Sequence, residues 1–150
     1  MILKKVAQTE YQNISNIILE MMQTEEVKSN YVITLNGPMG AGKTTFVKSL
    51  AKCIGIKSEI QSPTFTLMRE YDIDLHNKFK KLLHVDAYRF ENKDEGNILK
   101  LDQVNSSLII IEWPDNMNAP DSDLDIVFQK NIEYEDEELE SNLYRDIIIE

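Results

Sequence analysis

The chain has 150 residues, 42% hydrophobic and 28% charged, which fits one ordinary globular domain with a sizeable core and excludes a disordered or fibrous chain. No apolar run approaches the roughly 18 residues of a membrane-spanning helix, and the N-terminus lacks the apolar core of a signal peptide, so a cytoplasmic protein without membrane contact is expected. The net charge of −10 is uneven: residues 101–150 carry 14 Asp+Glu against 2 Lys+Arg, an acidic half that repels phosphate backbones and argues against direct DNA or RNA binding.

Residues 2–8 read as a short edge strand. Thr9 followed by Gln12 resembles a capping box. Tyr11, Ile14, Ile17, Ile18 and Met21 then recur at helical spacing, predicting a helix to about Glu25 that packs on a sheet, with its methionines filling core. Tyr31–Leu35 form the next strand, leading into Asn36 and Gly37. Phe46, Val47, Leu50, Ala51 and Ile54 mark the buried face of a second helix that stops at Gly55. Cys53, the single cysteine, has no disulfide partner within the chain and reads as a small buried residue, which suits a reducing compartment.

Between that strand and helix, residues 37–44 spell GPMGAGKT and fit G-x-x-x-x-G-K-[ST]. At ordinary residue frequencies the pattern arises by chance in about half a percent of chains this long. Its glycines let backbone N–H groups curl around phosphate oxygens, and the helix N-terminus adds partial positive charge. Gly37, Met39, Gly40, Ala41 and Gly42 would form the cradle; Lys43 would reach the β and γ phosphates, and the Thr44 hydroxyl would ligate Mg²⁺.

Residues 59–66, EIQSPTFT, cannot be helical at Ser62 because Pro63 follows, and read as an extended loop entering a strand from Thr66 to Ile73. Residues 74–81 read as a polar, basic hairpin tip and Leu82–Asp86 as the returning strand, while residues 93–104 are only weakly helical. Ser107–Glu112 is the short apolar run of a central strand covered on both faces. Leu124–Ile132 and Leu143–Ile149 complete the set as two strands joined through the acidic EYEDEEL stretch in an antiparallel hairpin. The expected fold is α/β: a P-loop NTPase-like mixed sheet flanked by helices, with C-terminal antiparallel strands, in a single domain.

Ligands on such sheets sit at the carboxyl ends of strands, and two carboxylates end strands here. Asp86 closes LLHVD and Glu112 closes SLIIIE. A carboxylate following an apolar run is costly inside a sheet, so both should sit at strand tips facing the loop. Taken singly, Asp86 could cap a turn and Glu112 could join a surface ion pair. Beside a phosphate loop, the two together look like a metal and water site. His76 reads as a loop residue and His84 as a strand residue near the site; neither has metal-ligand spacing with Cys53. No G-x-S-x-G elbow occurs. Asn92, Lys93, Asp94 and Glu95 narrowly miss the guanine-reading N-K-x-D, and Arg89 stands where a GTPase D-x-x-G has glycine, so GTP is not favoured.

Four segments in order, GPMGAGKTT, SPTFTLMREY, HVDAYR and IEWP, resemble the TsaE (YjeE) family of bacterial ATPases of tRNA threonylcarbamoyladenosine biosynthesis, from about Val32 to Pro114. The resemblance implies ATP and Mg²⁺ as cofactors. It implies as partners the threonylcarbamoyl transferase subunit and its paralogous scaffold, with tRNA reached through them. Gly40 to Thr45 would bind ATP phosphates, Thr44 and Glu112 would hold Mg²⁺, and Asp86 would orient water and metal. Ser62, Thr64 and Thr66 match the switch-like segment, the threonines as γ-phosphate sensors. Trp113 either fills core or forms a platform beside nucleotide or partner; Tyr88 and Arg89 form a packing and ion-pair unit or a partner surface. Thr9 would lie near the adenine. The chain departs from the family at residues 74–81, longer and more basic, and after Arg89, without the usual Glu-Leu and glycine arrangement.

Two other readings use the same loop. A small-molecule kinase usually closes an arginine-bearing lid over the phosphates, yet this chain has only Arg69, Arg89 and Arg145 and no lid-like insertion. A nucleotide-gated binding module would hydrolyse little, against which stands the presence of both Asp86 and Glu112.

Overall fold

Tyr31–Leu35 and Leu108–Ile111 leave no purely polar face to either strand, so both must be covered on two sides. The computed structural model describes residues 1–24, 28–130 and 144–150 and places these two strands side by side near the middle of a seven-stranded sheet. In chain order the elements are β1 (Ile2–Ala7), α1 (Tyr11–Thr24), β2 (Asn30–Asn36), α2 (Lys43–Ile54), β3 (Met68–Leu75), β4 (Phe79–Asp86), β5 (Ser107–Glu112), β6 (Leu124–Gln129) and β7 (Tyr144–Ile149). The spatial order is β1-β7-β6-β2-β5-β4-β3. The pairs β2/β5, β2/β6 and β4/β5 are parallel, and β1/β7, β6/β7 and β3/β4 are antiparallel. This is the expected mixed α/β sheet, and its parallel core brings the carboxyl ends of β2, β4, β5 and β6 to one edge.

Alternate residues of each central strand serve two cores. Tyr31, Ile33 and Leu35 of β2, with Leu108 and Ile110 of β5, meet α1 and α2 through Ile14, Ile18, Met22, Phe46, Val47 and Leu50. Val32, Ile109 and Ile111 face the other way, against Leu83 and Val85 and a lid of irregular chain contributing Phe90, Leu101 and Met117. Helix α2 stops where expected, with Gly55 at φ 97° and its N–H on the carbonyls of Ala51 and Lys52. Cys53 is half-buried, with its S–H toward the Gln12 carbonyl at 3.7 Å, and burial pushes its thiol pKa up. It is packing rather than a nucleophile. Among the described residues no helix is long and apolar enough to cross a membrane.

Several local expectations need correction. Helix entry does not use Thr9: residues 8–10 form a 3-10 turn in which the Glu10 carboxylate reaches back to the Ala7 N–H at 2.8 Å. The buried face of α1 comprises Tyr11, Ile14, Ser15, Ile18, Leu19 and Met22, leaving Ile17 42% exposed, because α1 packs against both the sheet and α2. Ser15 meets this burial by donating to the Tyr11 carbonyl one turn back, at 2.7 Å. The β3–β4 tip is shorter than residues 74–81: His76 and Asn77 turn at φ 55° and 57°, and Phe79 is already a buried strand residue. Strand β3 begins at Met68, not Thr66. Residues 93–99 and 101–103 are 3-10 turns, and Asn92 with Glu95 forms a capping box there, which accounts for the near-miss to a guanine motif. Strands β6 and β7 pair antiparallel as expected; Glu25, Ile132, Leu143 and the EYEDEEL stretch lie outside the described residues.

Phe128 of β6 packs edge-on against Tyr11 and Phe46, with ring centroids 6.1 and 5.8 Å away, and is fully buried. Phe128→Ala should lower unfolding free energy by about 3–5 kcal/mol, read from the urea midpoint at unchanged slope.

Candidate nucleotide site

Parallel pairing aligns Leu35 of β2 with Glu112 of β5, and Glu112 with Asp86 of β4, so the three strands release their chains side by side. A cavity of about 340 Å³ opens there. Residues 39–45 form one wall; Ser62, Thr64, Asp86, Tyr88, Glu112 and Trp113 form much of the other. This is the carboxyl-end crevice where open α/β sheets take their ligands.

The glycine loop is shaped from behind as well as by its own sequence. Gly42 precedes α2 at φ 100°, and a Cβ there would stand 2.6 Å from the Tyr11 hydroxyl. A Cβ on Gly37 would stand 2.6 Å from the Phe128 carbonyl oxygen. Both positions therefore exclude a side chain by contact with elements remote in sequence. The turn is closed by Ala41 N–H donating to the Pro38 carbonyl at 3.1 Å, after which Phe46 N–H bonds to the Gly42 carbonyl at 2.9 Å and the helix begins. The unpaired first-turn amides of α2 point back toward the cavity, a natural seat for an anion.

Lys43 is 5% exposed, and its Nζ donates to the carbonyls of Gly37 and Pro38 at 2.7 and 2.9 Å while lying 4.1 Å from the centroid of the Trp113 ring. Burial pushes its pKa down, and the nearby carboxylates of Glu112 and Asp86 oppose that shift. Trp113 can face Lys43 because the backbone turns sharply after β5: Trp113 adopts φ 59°, ψ 51°, and its N–H donates to the Leu35 carbonyl at 3.3 Å. Its ring also packs on Tyr88, centroid to centroid 5.1 Å. Trp113 is thus a platform for the loop lysine as well as a packing residue.

Both strand-end carboxylates are buried, Asp86 to 6% and Glu112 to 3% exposure, and each is held by donors. Glu112 accepts from Thr44 Oγ1, at 2.9 Å to Oε1 and 3.0 Å to Oε2, and its Oε1 lies 2.8 Å from His84 Nε2. Asp86 accepts from the Tyr88 N–H at 2.9 Å and from Thr64 Oγ1 at 3.0 Å, and Thr64 Oγ1 in turn lies 2.6 Å from Ser62 Oγ. Hard oxygens on Thr44 and Glu112 suit Mg²⁺, which usually takes only one or two protein ligands when phosphate oxygens complete its shell. Among the lining residues two formal negative charges, on Asp86 and Glu112, stand against the one on Lys43.

The fold brings together most of the residues that the sequence singles out. Thr9 is exposed and outside the cavity lining; its neighbour Gln8 lines it instead. Gly37 contributes a carbonyl to Lys43 rather than a wall. Thr66 is exposed, turning back on the Pro63 carbonyl at 3.4 Å, and Arg89 sits outside the cavity with its guanidinium 4.2 Å over the exposed Phe65 ring. Sequence reasoning puts His84 near the site but does not give its contact to Glu112. The period of two along β4 was the available signal, since His84 and Asp86 must share a face. It also missed Arg145 of β7, whose Nη2 donates to the Gly40 carbonyl at 3.1 Å. No local pattern marks it: β7 reads YRDIII, and the burial of Arg145 appears only in the fold.

Residues 6–140 match the family model described as threonylcarbamoyl adenosine biosynthesis protein TsaE. The chain is 39% identical over 102 residues to the tRNA threonylcarbamoyladenosine biosynthesis protein TsaE of Aquifex aeolicus, covering 67% of this chain and 70% of that one. It is 34% identical over 122 residues to the protein of the same name from Haemophilus influenzae, covering 80% and 72%. Against the relative from Bacillus subtilis it is 41% identical over 88 residues, 57% of this chain and 52% of that protein. The fold superposes on the crystal structure of Bacillus subtilis YdiB with a TM-score of 0.63 at 25% identity, covering 98% of this chain and 82% of that one. A family model that spans most of the chain, a shared fold and relatives above the identity at which descent is in question lead to one assignment: the chain belongs to the TsaE family of threonylcarbamoyl adenosine biosynthesis proteins.

Proposed function

We propose that this chain is an Mg²⁺-dependent ATPase that serves threonylcarbamoyl modification of the tRNA adenosine beside the anticodon, acting on the transferase complex rather than on tRNA. The observation that carries the reading is the hydrogen bond from Thr44 to Glu112, which joins the phosphate loop to the strand-end carboxylate at one cavity wall. A generic glycine turn before a surface helix has no use for a buried lysine and two buried carboxylates around the same space.

Each residue then has a physical task. The α2 amides and Lys43 would hold the phosphates, and Thr44 with Glu112 would hold the metal. Mg²⁺, when bound, would neutralise charge on the transferred phosphoryl group. Asp86 keeps acceptor capacity beyond the Tyr88 and Thr64 bonds and would orient the attacking water; Thr64 and Ser62, tied to Asp86, would report on the γ phosphate. His84 holds Glu112 from beneath. The partners are the threonylcarbamoyl transferase subunit and its paralogous scaffold. An acidic C-terminal half supports a role in which tRNA is reached through them.

Lys43→Ala should abolish phosphate release from ATP while the far-ultraviolet circular dichroism and cooperative melting persist; undiminished turnover in that folded variant would falsify the reading. Chelation of divalent cations, or Glu112→Gln, should reduce turnover by roughly a hundredfold or more. Phosphate release measured with and without the two partner proteins, and with no added acceptor, separates this ATPase from a kinase, which would need an acceptor, and from a binding module, which would stay slow in the complex.

A further inference from the structure

We infer that Arg145, on the C-terminal strand, is a positioning residue for the phosphate loop, so that β7 forms part of the nucleotide site; this rests on the nucleotide-binding reading above. Arg145 is 3% exposed, whereas Arg69 is half-buried and Arg89 exposed. It lies 105 residues from the loop in sequence. In space, its guanidinium bridges two carbonyl oxygens, its own strand's Tyr144 at 2.5 Å through Nη1 and Gly40 of the loop at 3.1 Å through Nη2.

Gly40 is the point in the loop that most needs such a tether. Contacts with Phe128 and Tyr11 confine Gly37 and Gly42, but no described residue lies within 4 Å of where a Gly40 Cβ would be, and Gly40 sits at φ 72°. On its Cβ side the Gly40–Ala41 peptide therefore lacks packing, and it is held by its polar groups: its N–H donates to the Pro38 carbonyl at 3.1 Å and its carbonyl accepts from Arg145 at 3.1 Å. A trans peptide fixes its carbonyl and N–H in opposite directions. If the Gly40 carbonyl turned into the cavity it would present a negative dipole end to phosphate oxygens. Arg145 engages that carbonyl and takes it out of competition through a charge-assisted bond with a fixed, planar donor.

The same geometry ties the loop to the far side of the sheet. Arg145 is paired with Val6 of β1, and the next residue, Asp146, accepts from the Lys5 N–H at 2.9 Å, where β1 bulges. The path from loop to sheet edge is thus one side chain long.

The test is equilibrium titration of fluorescent ADP into the natural chain, Arg145→Met and Arg145→Lys, each with a melting curve. The methionine variant fills the stem's volume without the donors; the lysine variant keeps the charge but not the planar fork. Expected are a folded methionine variant with affinity at least tenfold weaker, a lysine variant that recovers only part of the loss, and a KM for ATP that rises more than kcat falls. Unchanged affinity in the methionine variant would overturn the inference, and so would full recovery by lysine, which would mean that charge alone matters. Should the methionine variant fail to fold, the lysine variant decides: weaker binding at a preserved melting point supports the inference, and natural affinity overturns it. Absence of ADP binding by the natural chain is a different outcome, which removes the nucleotide reading and this inference with it.

Discussion

Glu112 is a carboxylate at 3% exposure at the end of an apolar strand, and it is stable there only because donors meet it from two directions. An unpaired charge at that depth costs several kcal/mol. Thr44 supplies one bond from the loop side and His84 the contact from the strand side. That requirement sets the spacing of everything near it: β5 must end beside β2 so that the first turn of α2 comes within reach, and beside β4 so that His84 lies beneath. Asp86, one strand over, is held in the same manner by a backbone N–H and a threonine from the SPTFT loop.

Parallel pairing is what allows one cavity to collect these groups. Because β2, β4 and β5 run the same way, their chains leave the sheet at one edge, and the segments that follow them form the phosphate loop, the Tyr88 turn and the Trp113 turn. The strands on either side of these three have a different role. Strand β3 brings the SPTFT segment down to Asp86, while β6 and β7 stand behind the loop with Phe128 and Arg145. The loop is therefore supported by β6, β7 and α1 as well as by the strand and helix that flank it in sequence.

The extent to which this was readable from the sequence follows from the range of each interaction. The loop, its flanking strand and helix, Gly55 as helix stop and the two carboxylates at strand tips are written in local patterns: glycine spacing, periodicity of 3.6 or 2, and a charge after an apolar run. At the first helical turn Thr9 and Gln12 offer a capping box, but Glu10 makes the bond instead. The buried face of α1 differs from the periodic pattern because a helix packed against both a sheet and another helix buries a different stripe from one packed on a sheet alone. The β3–β4 tip is shorter than its composition suggests, because lysines at 78, 80 and 81 mask the strand pattern that begins at Phe79.

By itself, then, the sequence determined the phosphate loop, the order and kind of most elements, the separation of acidic charge into the C-terminal half and, through four ordered motifs, the family. These are properties of neighbours in the chain, and short-range sterics and patterning decide them. Long-range assembly alone brings His84 to Glu112, turns Trp113 toward Lys43, sets Gln8 rather than Thr9 in the cavity wall and joins Arg145 to Gly40. Each of these depends on strand order and register, which are set by how the two faces of the sheet are buried, a global condition that no local stretch of residues expresses.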